Sequence, residues 1–265
     1  MATITLLGTA PGYPAPYRNH SSFLLETGEH KILVDAGESC SRTLIELGIE
    51  PVELDTIIIT HGHSDHTAGL AMLIQSCWIV GRERPLPIFL PKELIRPLIV
   101  WLDASYIGPD FIPFKLQFQS WEDNDQVNIC GVNARVAPTT HLDSLVKRFG
   151  NGRFHPFSLG FDSPGFEFVA SGDLGAPEDL LPHLQNGTDL LICELAHFPP
   201  ANLFKFLQRF RISRLVLTHG SAEILANVAS VVAEARAMLP KTEIFFAEDK
   251  MQVHLAGKKG AKRSD

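Results

Sequence analysis

The sequence predicts an α/β protein in which two mixed sheets pack face to face with helices on both outer faces, a four-layer αββα sandwich. Three observations carry this. Strand-like and helix-like stretches alternate in the first and last thirds of the chain, the middle is rich in strands, and the reactive residues stand where strands end. The chain has 265 residues, 45 % hydrophobic and 20 % charged, enough to bury a sizeable core.

Along the first third, 3–8, 21–27 and 30–37 read as strands separated by turn residues. A helix is expected over 40–49, where Leu44, Ile45, Leu47 and Ile49 form the apolar side and Gly48 marks the end. The continuous apolar run 54–60 reads as a strand covered on both faces. A helix should begin near Leu70. In the middle, strands are expected at 86–90, 114–121, 125–130, 132–138, 157–163 and 166–173, the last two joined as a hairpin by Ser163-Pro164-Gly165. The last third alternates strand 189–194, helix 200–210, strand 214–219 and helix 222–239 before two short closing strands. One domain over 1–257 is expected, followed by a basic, solvated tail at 258–265 containing Lys-Lys-Gly-Ala-Lys-Arg.

Composition narrows the function classes. A net charge of −7 and a pI near 5.9 disfavour affinity built on a broad phosphate-backbone footprint, so stable nucleic-acid binding is not expected. The N-terminus lacks a basic and apolar leader, and the longest apolar run, 71–80, is interrupted and too short to cross a bilayer. The expectation is a cytoplasmic protein without membrane contact. Four cysteines, at 40, 77, 130 and 193, show no CxxC spacing and read as buried thiols rather than zinc ligands.

The run Thr-His-Gly-His-Ser-Asp-His at 60–66 stands at the end of the apolar strand 54–60. A loop needing only polarity would use Ser, Asn or Gly; a helix N-cap explains Ser64 or Asp65 but not the histidines. Three of the chain's 11 histidines fall in six positions here. His61 and His63 can face one ion, and Asp65 and His66, one turn on, a second beside it. Two divalent cations about 3.5–4 Å apart are an arrangement for metal-assisted hydrolysis, and imidazole with carboxylate suits zinc, with manganese or iron as alternatives, rather than calcium. Four residues cannot close two coordination spheres, and further strand-end candidates follow in His141, Asp173 and His219.

Together, Leu-Val-Asp-Ala-Gly with Asp35, the 60–66 motif, His141, Ser-Gly-Asp ending at Asp173 and Leu-Thr-His-Gly-Ser with His219 resemble the metallo-β-lactamase superfamily over residues 4–255. The resemblance implies that His61, His63 and His141 bind one metal and Asp65, His66 and His219 the other, with Asp173 bridging. It also implies a second role for Asp35, orienting a ligand by hydrogen bonding, although a turn former before Gly37 explains it as well.

The N-terminal stretch 8–27 and Lys-Ile-Leu-Val-Asp-Ala-Gly-Glu at 31–38 look like the ribonuclease Z-like branch, whose members add an acidic residue and a histidine before the last ligand. Here Glu194 and His197 occupy that place, His197 standing 22 positions before His219, a spacing similar to that in the small-substrate phosphodiesterase of bacterial phosphonate breakdown. True tRNA-processing members carry a long gripping arm between the third histidine and the bridging aspartate. Only 31 residues separate His141 from Asp173 in this chain, and they are largely used by the hairpin. The irregular piece 143–157 within them, with Lys147, Arg148, Arg153 and His155, either covers the site and grips phosphate or is a solvated loop. Residues 105–114 either wall the pocket with aromatics or pack on the surface.

The expectation is therefore a dinuclear hydrolase, a phosphodiesterase for a small or short substrate, with Asp65 orienting the attacking water, His197 as proton donor and Glu194 supporting it. The same metals polarise a carbonyl, so a lactone, thioester or carboxylic-ester hydrolase is a rival. A tRNA 3′-end endonuclease and a metal-bound binding protein without turnover are the others. The resemblance makes a homodimer plausible.

Overall fold

The computed structural model describes residues 2–150 and 152–255; the 258–263 basic cluster lies outside them. The first half runs β1 (Ala2–Gly8), β2 (Ser22–Thr27), β3 (His30–Val34), α1 (Cys40–Glu46), β4 (Thr56–Ile58), α2 (Ser64–Thr67), α3 (Leu70–Ile79), β5 (Leu86–Pro91), α4 (Ile95–Ala104) and β6 (Leu116–Trp121). The second runs β7 (Gln126–Ile129), β8 (Val132–Pro138), α5 (Asp143–Phe149), β9 (Phe157–Ser163), β10 (Phe166–Ala170), α6 (Leu181–Leu184), β11 (Thr188–Leu195), α7 (Pro200–Leu207), β12 (Ile212–Gly220), α8 (Ala222–Ala226), α9 (Val228–Met238), β13 (Glu243–Phe246) and β14 (Gln252–Leu255).

Two seven-stranded sheets result, ordered β14-β1-β2-β3-β4-β5-β6 and β13-β12-β11-β10-β9-β8-β7. Each is part antiparallel and part parallel, with β3 to β6 and β10 to β13 the parallel stretches. Strand side chains alternate between faces. Phe23, Leu25 and Ile58 therefore enter the core between the sheets, while Leu24, Leu33 and Ile57 join α1, α3 and α4 outside the first sheet. Outside the second sheet, Leu191, Cys193 and Leu217 pack with α6, α7 and α9. That double coverage is why the strands read as continuous apolar runs. Phe168 bridges the layers, stacked 4.5 Å from Phe161 and edge-on at 6.3 Å to Phe23; burying a side chain of that size stabilises by roughly 2–3 kcal/mol.

The αββα expectation holds, with local differences. The helix expected over 222–239 is two helices, broken at Asn227, whose backbone leaves the helical region and whose Nδ2 donates to the Glu223 carbonyl. Helix α4 went unread because Pro97 lies in its first turn, where a missing N–H costs no hydrogen bond. The piece expected to be irregular, 143–157, begins with α5; no α5 residue is buried, so no apolar stripe announced it. In 105–114, Ile107, Ile112 and Phe114 pack into the outer core while Tyr106 and Phe111 are exposed, which favours surface packing over a pocket wall. The four cysteines are free thiols, Cys130 only partly buried. Among the described residues no helix is long and apolar enough to cross a membrane.

Candidate metal centre

The loops beyond β4, β8 and β10 and the ends of β11 and β12 meet at one edge of the sandwich. There His61, His63, His141 and Asp173 bring ligand atoms within 4.8 Å of one another, and so do Asp65, His66, Asp173 and His219. Asp173 belongs to both groups through different oxygens. Its Oδ2 lies 3.6 Å from Nε2 of both His61 and His141, and its Oδ1 lies 3.3 Å from His66 Nε2 and 3.6 Å from His219 Nε2. Asp65 Oδ2 completes the second group, 3.5 Å from His66 Nε2 and 3.6 Å from His219 Nε2.

These separations are too long for hydrogen bonds, and Nε2 of both His61 and His66 is buried without a hydrogen-bond partner. A buried orphan nitrogen is costly unless something fills the gap. Ligand atoms about 2.0–2.2 Å from one tetrahedral cation stand roughly 3.4 Å apart, so the donor set fits divalent metals. The opposite ring nitrogens orient the imidazoles. Thr60 Oγ1 donates to Asp35, so it accepts from His61 Nδ1 at 3.1 Å; His66 Nδ1 donates to Asp35 Oδ2 at 2.7 Å. In the neutral rings this places the Nε2 lone pair toward the site, the orientation a metal ligand needs.

Electrostatics separate the two groups. Burial pushes His61 well below its ordinary value, lowers His63, and pushes His141 down to about 4. Burial alone would depress His66 too, but Asp173 and Asp35 outweigh it and hold it well above its ordinary value. Burial opposes ionisation of Asp173, yet His219, His66 and His61 around it keep its carboxyl well below the usual range.

Close backbone crossings make the cluster possible. A Cβ on Gly37 would stand 2.4 Å from the Asp65 carbonyl, so only glycine lets β3's exit pass beneath the motif. Gly12 lies in the 9–20 loop over Asp65, where a Cβ would make ordinary contact with the carboxylate at 3.4 Å. His219 is held with φ +51°, its N–H donating to the Thr9 carbonyl at 3.2 Å.

Glu194 and His197 come together as a pair at the rim. Glu194 is buried; its Oε1 accepts from His197 Nδ1 at 2.9 Å and from the Leu174 N–H, and its Oε2 from the Ala196 N–H. His197 Nε2 is left facing Asp173 Oδ2 at 3.9 Å, with the ring 4.4 Å from that of His141. Burial lowers the His197 value, but Glu194, then Asp173 and Asp65, more than compensate and raise it. Glu194 thus orients the His197 ring by hydrogen bonding.

Two of the basic residues of 143–157 make contacts within the chain. Arg148 lies over the Phe149 ring at 4.9 Å, and His155 is paired with Glu93, Nδ1 to Oε2 at 3.1 Å. The sequence reading missed Thr60, Thr9 and Asp179. Asp179 Oδ2 accepts from the N–H groups of Thr140 and Gly175, tying the loop before His141 to the loop after Asp173. Asp179 sits in a short 3₁₀ turn whose sequence, Ala-Pro-Glu-Asp, has a capping pattern and nothing that marks its partners.

The metallo-beta-lactamase superfamily model matches residues 15–147. A ribonuclease Z of Methanococcus maripaludis strain C7 is 35% identical over 309 aligned positions, covering 96% of this chain and 99% of that protein; under a fifth of the aligned positions face gaps in this shorter chain. The ribonuclease Z of strain S2 is 37% identical over 108 residues, 41% of this chain, and the match spans only 35% of that protein. Among solved structures, the metallo-beta-lactamase fold protein YhfI from Bacillus subtilis aligns with a TM-score of 0.76 at 18% identity, over 95% and 98% of the two chains. The short form of human tRNase Z gives 0.72 at 20% identity over 96% and 99%, and a diphosphatase from the PhnP family 0.65 at 18% over 97% and 100%. At these identities the structural likeness is one of fold. Fold, residue pattern and full-length similarity agree: the chain belongs to the metallo-β-lactamase superfamily, a superfamily of metal-dependent hydrolases.

Proposed function

We propose that the protein is a dinuclear metal-dependent phosphodiesterase for a small or short phosphodiester. In this reading His61, His63, His141 and Asp173 hold one divalent cation and Asp65, His66, His219 and Asp173 the other. Zinc suits imidazole and carboxylate best, with manganese or iron as alternatives. When bound, such cations supply Lewis acidity, lowering the pKa of a water and neutralising phosphoryl charge. Asp65 orients the attacking water. The bond from water oxygen to phosphorus forms as the bond to the alcohol oxygen breaks. His197 Nε2–H delivers a proton to the departing oxygen, and the water's protons restore His197 and leave with the monoester or solvent.

The observation that carries this reading is the Glu194–His197 pair, 2.9 Å apart, which leaves Nε2 facing both ligand groups at the open rim. An alkoxide leaving group needs such a donor; a nitrophenolate does not. Replacing His197 with Ala should cut turnover of an alkyl diester by about two to four orders of magnitude, and of a nitrophenyl diester far less. Equal loss on both substrates with unchanged metal content would make His197 a substrate-positioning group instead.

The full-length similarity to a protein named ribonuclease Z favours a second reading, a tRNA 3′-end endonuclease, with a homodimer as a possible working unit. An assay of the protein reconstituted separately with zinc and manganese on a dialkyl diester, a lactone and precursor tRNA separates these from each other and from a carboxylic-ester hydrolase.

A further inference from the structure

A second space opens on the far side of His197. It is a cleft of ≈ 560 Å³ between the turn from β11 into α7 and the helices α8 and α9. His197, its side chain 32% exposed, is the wall shared by the cleft and the metal centre. Phe198, Pro199 and Pro200 form one side. Ile224 and Val231 supply an apolar floor, and Ser221 and Asn227 add polar edges. Two carboxylates, Glu223 and Glu234, also line it, and among the described residues no lysine or arginine does.

Its position gives the cleft a role. In an in-line displacement the leaving oxygen departs opposite the attacking oxygen. If His197 protonates that oxygen, the rest of the departing alcohol extends past the His197 ring, away from Asp173 and into this space. Apart from His197 itself, the charged side chains that line it are carboxylates. A leaving strand of nucleic acid would bring its next phosphate toward Glu223 and Glu234, while a cation gains from both carboxylates.

We infer that this cleft is the leaving-group subsite and that it selects phosphodiesters whose released alcohol carries an alkylammonium group. The inference rests on the phosphodiesterase reading for its chemistry, and on the cleft's own lining for its selectivity. The Pro199–Pro200 wall and the apolar floor of Ile224 and Val231 suit a compact alcohol.

The test uses the metal-reconstituted full chain and three phosphodiesters that share one methyl phosphate group. The released alcohols are 2-(trimethylammonio)ethanol, its neutral isostere 3,3-dimethylbutanol, and 3-hydroxypropanoate. We expect kcat/KM to favour the ammonium ester over the neutral one by about tenfold, the scale of two exposed carboxylate contacts, and the anionic ester to be the poorest. In the Glu223→Gln, Glu234→Gln double variant the ammonium-to-neutral ratio should fall toward one. Calorimetric titration with the free ammonium alcohol and its neutral isostere reads the cleft without turnover and should show the same carboxylate-dependent preference. Hydrolysis of all three diesters at similar rates, or preference for the anionic one, overturns the inference and leaves the phosphodiesterase reading standing. No diester hydrolysis, but carboxylate-dependent ammonium binding, overturns the reaction and keeps the cleft's selectivity. Neither hydrolysis nor selective binding overturns both.

Discussion

Asp35 illustrates how one side chain sets the chemistry of another. Its Oδ1 accepts from the Thr60 N–H at 2.8 Å, and its Oδ2 accepts from His66 Nδ1, so both oxygens must be acceptors. Asparagine has nearly the same shape but one acceptor fewer. With its amide toward His66 it would force Nδ1 to accept, moving the ring proton onto Nε2, the atom facing the site; turned the other way, it would set two donors face to face at Thr60. Asp35→Asn should therefore weaken the Asp65–His66–His219 site by about 10–100-fold in metal affinity. Elemental analysis after dialysis against a weak chelator should return two ions for the parent and close to one for the variant. Two retained ions would relegate Asp35 to a turn former.

At the scale of elements, α6 docks on the second sheet through His183. This residue is buried, with Nε2 bonded to Ser158 Oγ at 3.1 Å and Nδ1 without a hydrogen-bond partner. Burial, reinforced by the charge of Arg135, pushes its value down to about 4. The folded state thus disfavours the protonated ring. The associated stability is fully present above the unfolded value near 6.5 and is lost as pH falls toward 4, by at most about 3 kcal/mol. Urea denaturation at stepped pH should show a slope over this window that flattens in His183→Gln. An unchanged slope would assign the acid sensitivity elsewhere. Element length was less legible than element type. The apolar run 54–60 pairs as a strand only at Thr56–Ile58 before the chain turns into the metal loop, and α5, with no buried face, carried no periodic signal.

For the whole molecule, charge and shape argue against gripping a long polyanion. The chain carries a net charge of −7, α5 and the segment after it replace any extended arm between His141 and Asp173, and Arg148 and His155 are engaged within the chain. Binding of precursor tRNA should be weak, with a salt slope equivalent to roughly two phosphate contacts or fewer. Filter binding between low and moderate salt measures it. Tight, steeply salt-dependent binding with accurate 3′ cleavage would favour the endonuclease reading instead.

The sequence by itself determined the layer architecture and the order of the chemically competent residues. Both follow from local rules: alternating burial along strands such as Phe23-Leu24-Leu25, and a density of imidazole and carboxylate at 61–66 that a solvated loop does not need. Only the tertiary structure decided which partner each residue meets. The division of Asp173's oxygens between two histidine groups arises where the two sheets bring distant loops to one edge, and the Asp179 tie between the loops flanking His141 and Asp173 and the carboxylate-lined cleft behind His197 arise where loops of the second sheet meet its outer helices. Contacts of that kind depend on the packing of whole faces, and no periodicity within a strand or helix encodes them.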